Sequence, residues 1–337
     1  MRMLFPAILL GLSSMQGFAA DQDHIDNNHR HHHEQGAVAS SEHHLHGAGE
    51  WMLSYRYMHM SMDGMRDDTN DLSRADVLAD FMVAPIRMSM DMHMFGLMYG
   101  LSDDVTVMAM LPYLEKDMDH ITRMGARFTT RSSGIGDIKL VGLYNLKQNN
   151  GNRLQFKLGV SAPSGDIDAE DDTPAMADAQ LPYPMQLGSG SWEFLPGIIY
   201  SSATQAFDWG TELDAVIRLN DNDNEYRLGN RLALSGWASK PFNHTVSGIL
   251  RLKAQLWDDI DGNDSALNPA MVPTADPDNQ GGKRVDISAG LLVSPPTGAL
   301  SEHTFGIEIG TPLYEDLNGP QMSLDWSLMA KWQLVLH

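Results

Sequence analysis

From Leu324 to the end of the chain, alternate residues are apolar: Leu324, Trp326, Leu328, Ala330, Trp332, Leu334 and Leu336. Between them stand Ser323, Asp325, Ser327, Lys331 and Gln333. A period of two sends the two sets to opposite faces of one extended strand. The same alternation recurs along most of the chain. Leu154, Phe156, Leu158 and Val160 alternate with Arg153, Gln155, Lys157 and Ser161. Leu250, Leu252 and Leu256 alternate with Arg251, Lys253 and Gln255, and Leu213, Ala215 and Ile217 with Glu212, Asp214 and Arg218. Further segments begin near Trp51, Phe95, Val105, Ile138, Trp192, Tyr226, Val285 and Phe305. The segment from Tyr226 is expected to turn Tyr226, Leu228, Leu232 and Leu234 outward.

About twelve such segments between residues 51 and 337 predict an all-β fold, an antiparallel transmembrane β-barrel with its apolar face in lipid. Connections alternate in length. Short ones fall near Ser102–Asp104, Lys147–Asn152, Ala206–Asp208, Lys240–Asn243 and Pro295–Glu302. Longer ones are expected near Asp63–Pro85, Lys116–Gly134, Ser164–Gly190, Asn220–Glu225, Asp258–Gly282 and Pro312–Pro320. Short turns belong in the periplasm and long loops outside the cell. Twelve strands leave room for a narrow polar channel, or for an interior closed by its own salt bridges.

The first 19 residues read as a secretory signal, with Arg2 at the start, an apolar run Leu4–Leu12 and a small-x-small site at Gly17-Phe18-Ala19. Residues 20–50 carry eight histidines and little apolar content, and read as a disordered periplasmic tail. The chain has no cysteine, which suits an oxidising compartment. Its formal net charge of −21 argues against nucleic acid as a partner, because phosphate repels it. The reading is a barrel in the outer membrane of a Gram-negative bacterium, with membrane lipid as its first partner.

Three short segments carry a resemblance. Ser133-Gly134-Ile135-Gly136-Asp137-Ile138-Lys139-Leu140 lies on one strand entry, and Leu158-Gly159-Val160-Ser161-Ala162-Pro163-Ser164-Gly165-Asp166 on the next strand and its exit. Tyr99-Gly100-Leu101-Ser102-Asp103, followed by Leu111-Pro112-Tyr113, forms a strand–turn–strand pattern. Together they resemble an outer-membrane family named after the phenol meta-cleavage degradation pathway. The resemblance implies a channel or transporter for small organic compounds, without enzyme activity or catalytic residues. The His-rich tail and the methionine clusters depart from the family pattern, and the last residue is His337 rather than the Phe common at barrel C-termini.

Fifteen of the 23 methionines lie between Met52 and Met124. The densest runs are Met58-His59-Met60-Ser61-Met62-Asp63-Gly64-Met65 and Met88-Ser89-Met90-Asp91-Met92-His93-Met94. Thioether sulfur is a soft, neutral ligand suited to monovalent copper or silver. Strand phase places Met58, Met60 and Met62 inside, with Met94, Met98, Met108 and Met110. The two runs are expected to meet at the extracellular mouth, joined by Met118, His120 and Met124. Methionine as simple interior filler is the alternative. In the tail, His29, His31, His32, His33, His43, His44 and His46 could chelate divalent copper, nickel or zinc.

These observations predict a barrel that binds or passes soft metal ions through a Met-rich mouth, with a periplasmic metal carrier as a candidate partner. A passive channel for small organic solutes is the alternative, and a non-conducting, metal-sequestering barrel a third. No nucleophile motif supports an enzyme.

Overall fold

The computed structural model describes residues 46–149, 151–204 and 206–336. Ten antiparallel strands follow in order: β1 (Trp51–Asp68), β2 (Val83–Ser102), β3 (Val105–Thr122), β4 (Ile138–Asn149) and β5 (Asn152–Ala162), then β6 (Glu193–Ala203), β7 (Asp208–Arg218), β8 (Arg231–Pro241), β9 (Val246–Trp257) and β10 (Gly282–Val293). A last element, β11 (His303–Leu336), pairs with both β10 and β1 and closes the ring.

β11 is a hairpin. Its residues 305–317 pair with β10, and its residues 317–336 pair with β1. The two arms also bond to each other: Val335 N donates to Glu302 O at 3.1 Å, and Thr311 Oγ1 to Asp325 O at 3.0 Å. The chain reverses at Asn318-Gly319, where Gly319 takes a φ of +70° that glycine adopts without steric cost. Eleven elements therefore make twelve passes, in agreement with the sequence expectation. A ring in which every neighbour is antiparallel must have an even number of passes, so the fold back at residues 318–319 is what lets it close.

The outward face is the one expected. Leu97, Leu140, Leu158, Leu213, Leu234, Leu252 and Ile307 are among its exposed apolar side chains. Among the described residues no helix is long and apolar enough to cross a membrane; the crossing is made by strands. Trp51 and Trp209 lie near one rim, and Tyr113, Tyr57 and Trp326 toward the other, as in the aromatic girdles of such barrels.

The strands of the methionine region are longer than expected. β1, β2 and β3 have 18, 20 and 18 residues, against the roughly 9–11 that a tilted strand needs to cross. The spans expected as loops at 63–85, 116–134 and 312–320 are therefore mostly strand. β1 continues to Asp68, a short helix α1 (Arg74–Asp80) follows, and β3 turns directly into the strand Arg127–Ile135, which pairs back on it. The physical reason is that these extensions pair with each other above the membrane, so Asp, Arg and Ser on their outer face meet water and break no pairing.

Strand β8 starts later than expected. Tyr226 is 1% exposed and lies outside the barrel wall. Tyr226-Arg227 pairs with Asp261-Gly262, and Tyr226 packs with Tyr183 and Ile260 in a small core formed by the extracellular loops. Its hydrophobicity serves a loop cap, not the lipid face.

Inside, Leu143, Ile199, Trp237, Ile249 and Leu292 form one buried cluster. Leu143 on β4 and Leu292 on β10 stand on opposite walls of the ring, so this cluster reaches across the interior. Ion pairs fill much of the rest. Lys157 meets Glu212 at 2.7 Å and also Asp214; Arg218 meets Glu193 at 3.1 Å; Arg251 meets Glu308 at 3.2 Å. The wall formed by β5–β11 thus has its charges largely matched to each other.

Candidate functional site

The remaining wall, formed by β1, β2, β3 and the second arm of β11, carries the methionines. On the inward face Met58 stands opposite Met92, Met60 opposite Met90, and Met62 opposite Met88. Directly opposed side chains on neighbouring strands are about 5 Å apart at Cβ. The rows continue sideways, with Met88 opposite Met118 on β3 and Met58 opposite Met329 on β11. Lower down, Met98 is opposite both Met52 and Met108. Met94, Met98, Met108 and Met110 line a cavity of about 20 Å³ with Arg56 and Lys331, room for roughly one water.

At the extracellular end the row is capped. Met88, Met118 and Met185 pack with Leu181 in one buried cluster, joined by Met62 and Met322. Met185 comes from a short 3-10 turn, Tyr183–Met185, in the long loop between β5 and β6. That loop is held from the barrel wall. Lys116 Nζ donates to Pro184 O at 2.8 Å and to Gln186 O at 2.5 Å, and Ser132 Oγ donates to Met185 O at 2.6 Å. Burial, with Arg231 nearby, pushes the Lys116 ammonium down to about 8. Three successive carbonyls around Met185 are therefore tied down, and the thioether is pressed onto the barrel row.

The expected site residues divide into groups. Met58, Met60, Met62, Met88, Met90, Met92, Met94 and Met118 share the inward face. Met65 follows a register shift and packs instead with Val77 and Ala84 beneath α1. His59 and His93 do not join the methionines: they occupy the outward phase. There His59 Nδ1 lies 2.9 Å from Asp91 Oδ1, Tyr55 Oη lies 2.8 Å from His93 Nδ1, and Tyr57 donates to Asp91. Odd spacing from the methionines dictates this, because i and i+1 point to opposite faces. His120 is buried and stacked flat on Phe128, with ring centroids 4.8 Å apart. Burial pushes its imidazole down to about 4. Met124 is 93% exposed on the turn between β3 and the following strand, away from the row.

Of the tail histidines, His29, His31, His32, His33, His43 and His44 lie outside the described residues. His46 is not part of a free tail. It is buried, its N–H donates to Thr106 Oγ1 at 2.9 Å, and Gly49 and Glu50 exchange backbone bonds with Gly100. Gly100 is required there, since a Cβ would fall 2.0 Å from Gly47 O. Thr106 and Gly100 face inward one step below Met108 and Met98, so residues 46–50 sit in the periplasmic mouth.

Three contributors escaped the sequence reading: Met185, Met322 and Met329. Met329 was recoverable, because it shares the phase of Ser327, Lys331 and Gln333. Met185 and Met322 carry no local signal; only the loop fold and the hairpin bring them in. Among the described residues no cluster of three or more His, Asp and Glu is arranged to hold a metal.

The family model described as "Putative MetA-pathway of phenol degradation" matches residues 86–297, more than half of the chain. The chain belongs to that family. The phenol-degradation family match begins inside the methionine-bearing β2 and ends just after β10. An outer membrane channel from Pseudomonas putida F1 superposes with a TM-score of 0.60 at 16% identity, covering 88% of this chain and 98% of that one. The KdgM porin gives 0.40 at 9% identity over 85% and 99% of the two chains. The β domain of a Bordetella autotransporter gives 0.45 at 9% over 86% and 100%. At these identities the first likeness speaks to fold, and the other two are too loose to carry an argument. No curated protein sequence matches this chain. This member of the family has the fold of an outer-membrane channel.

Proposed function

We propose that this protein is an outer-membrane channel whose lumen binds and passes monovalent copper or silver along its methionine wall. The observation that carries the reading is the run of facing pairs Met58–Met92, Met60–Met90 and Met62–Met88 on one inward face. Neutral thioethers coordinate soft cations and offer little to hard ones. The opposite wall has its carboxylates held by Lys157, Arg218 and Arg251, so the methionines are the ligands left to discriminate. Filler methionine would not need to be paired across strands in consecutive rows. Residues 1–19, read as an export signal, and the histidines of residues 20–45, read as a periplasmic acceptor for released ions, complete the proposal. A soluble periplasmic metal carrier is the partner such a route would serve.

The test is a competitive monovalent-copper titration of the full-length refolded barrel, alongside a variant with Met58, Met60, Met90 and Met92 changed to Leu. Tight binding lost in the variant supports the reading, and ion flux in liposomes then separates a channel from a sequestering barrel. Binding no tighter than to a Met-poor barrel would sink it. A second reading, a passive channel for small organic solutes, is favoured by the family to which the chain belongs. That channel would keep its solute flux in the four-Leu variant.

A further inference from the structure

Three of the methionines with exposed side chains stand outside the lumen, on three different extracellular segments that the fold joins. Met82 precedes β2, Met124 lies on the turn after β3, and Met271 lies in the loop between β9 and β10. They are 44%, 93% and 38% exposed. Met82 N–H donates to Met271 O at 3.1 Å, and Val83 N–H to the same carbonyl at 2.9 Å. Arg123, the neighbour of Met124, donates its N–H to Met82 O at 2.8 Å. Three backbone hydrogen bonds therefore join segments that are far apart in sequence.

The arrangement is held in place. The Arg123 guanidinium donates to Leu78 O at 2.7 Å, Ala79 O at 3.1 Å and Phe81 O at 2.9 Å, gripping the C-terminal carbonyls of α1. The turn itself is closed by Gly125 N–H to Thr122 O at 2.8 Å, with Gly125 at a φ of +87°. Met271 is fixed by its N–H to Asn268 O at 3.0 Å. Beneath this platform lies the cluster of Met65, Val77 and Ala84, which shares Met322 with the methionine cluster of the mouth.

We propose that Met82, Met124 and Met271 form an external three-thioether site that captures a monovalent soft cation before it enters the lumen. The inference rests on the soft-metal reading of the lumen. Methionine side chains are flexible and their thioethers are soft donors, and these three are carried on backbone segments bonded to one another. The site also lies above the methionine cap, where an arriving ion would first meet the protein.

The test is methionine oxidation footprinting of the intact, lipid-embedded full-length barrel with peroxide, with and without silver ion. Exposed methionines oxidise fastest, and Met176, 58% exposed on another loop, serves as an internal control. At free silver about ten times the dissociation constant, oxidation of Met82, Met124 and Met271 should slow roughly tenfold, since only the unliganded fraction reacts. Met176 should be unaffected, and M271L should remove the protection of Met82 and Met124. Equal protection of Met176, or none at the three sites, overturns the proposal. Lumen binding by the copper titration with no outer protection would remove the external site and leave the lumen reading intact; outer protection without lumen binding would do the reverse.

Discussion

Met60 on the first strand stands directly opposite Met90 on its neighbour, and Lys116 stands opposite Met90 on the other side. One row therefore places a thioether pair beside the lysine that ties down the loop cap. Methionine wall and loop cap meet on β3, so disturbance of either should register in the other.

Changing Met60 and Met90 together to Leu keeps size and hydrophobicity while removing both sulfurs. Such volume-conserving swaps cost under about 1.5 kcal/mol each. The expected outcome is a folded barrel with at most a modest shift of its unfolding midpoint in lipid and monovalent-copper affinity reduced roughly tenfold or more, the scale of about 1.4 kcal/mol lost with the two sulfurs. Unchanged affinity in a folded double variant would remove this row from the site.

The loop cap should loosen in Lys116→Met. Carbonyls of Pro184 and Gln186 would lose a charged donor, at a cost of about 1.5–3 kcal/mol. Hydrogen exchange at residues 183–187 is expected to rise roughly tenfold or more, with little change in β5 and β6. Exchange as slow as in the parent chain would show that Met185 is held by packing alone.

Lys157→Met should destabilise the barrel itself. The buried Glu212 and the half-buried Asp214 would lose the cation they share. Breaking a buried pair by removing one partner costs about 3–5 kcal/mol, readable as an earlier urea unfolding transition. The triple change Lys157→Met, Glu212→Gln, Asp214→Asn should recover most of that loss, because no uncompensated charge then remains.

Acid should destabilise the extracellular end of β3 through His120, which stacks on Phe128. Its imidazole titrates near 4 in the fold because burial opposes the charge, and near 6.5 when unfolded. The unfolded chain therefore binds a proton that the native one refuses. Stability is unaffected above about pH 6.5 and falls as pH drops from about 6.5 toward 4, by up to about 3 kcal/mol. His120→Phe, which retains the stack on Phe128, should flatten this part of the curve in pH-dependent unfolding. A parent chain whose stability is level from pH 7 to pH 4 would contradict it.

The outward face of the barrel was readable residue by residue. Leu158, Leu213 and Leu252 are exposed where the alternation put them, because lipid on one side imposes apolarity at every second position. The inward phase of Met58, Met60 and Met62 followed from the same period. The reading was less complete where that single rule stops. Tyr226 is as hydrophobic as a lipid-facing residue, yet it fills a loop core. His59 and His93 share runs with the methionines, yet one residue of offset turns them to the outer face.

The order of strands, their alternating turns and the two-faced pattern were determined by sequence alone, because each is a local, periodic consequence of one apolar solvent. Three things were decided only by the tertiary structure. The register of β1 against β2 set methionine opposite methionine. The fold of the β5–β6 loop delivered Met185 to Met88 and Met118. Three backbone hydrogen bonds joined Met82 and Met271 to each other and to the turn that carries Met124. The first is a pairing register between neighbouring strands and the other two are loop contacts, and in each the separation along the chain carries no periodic signal.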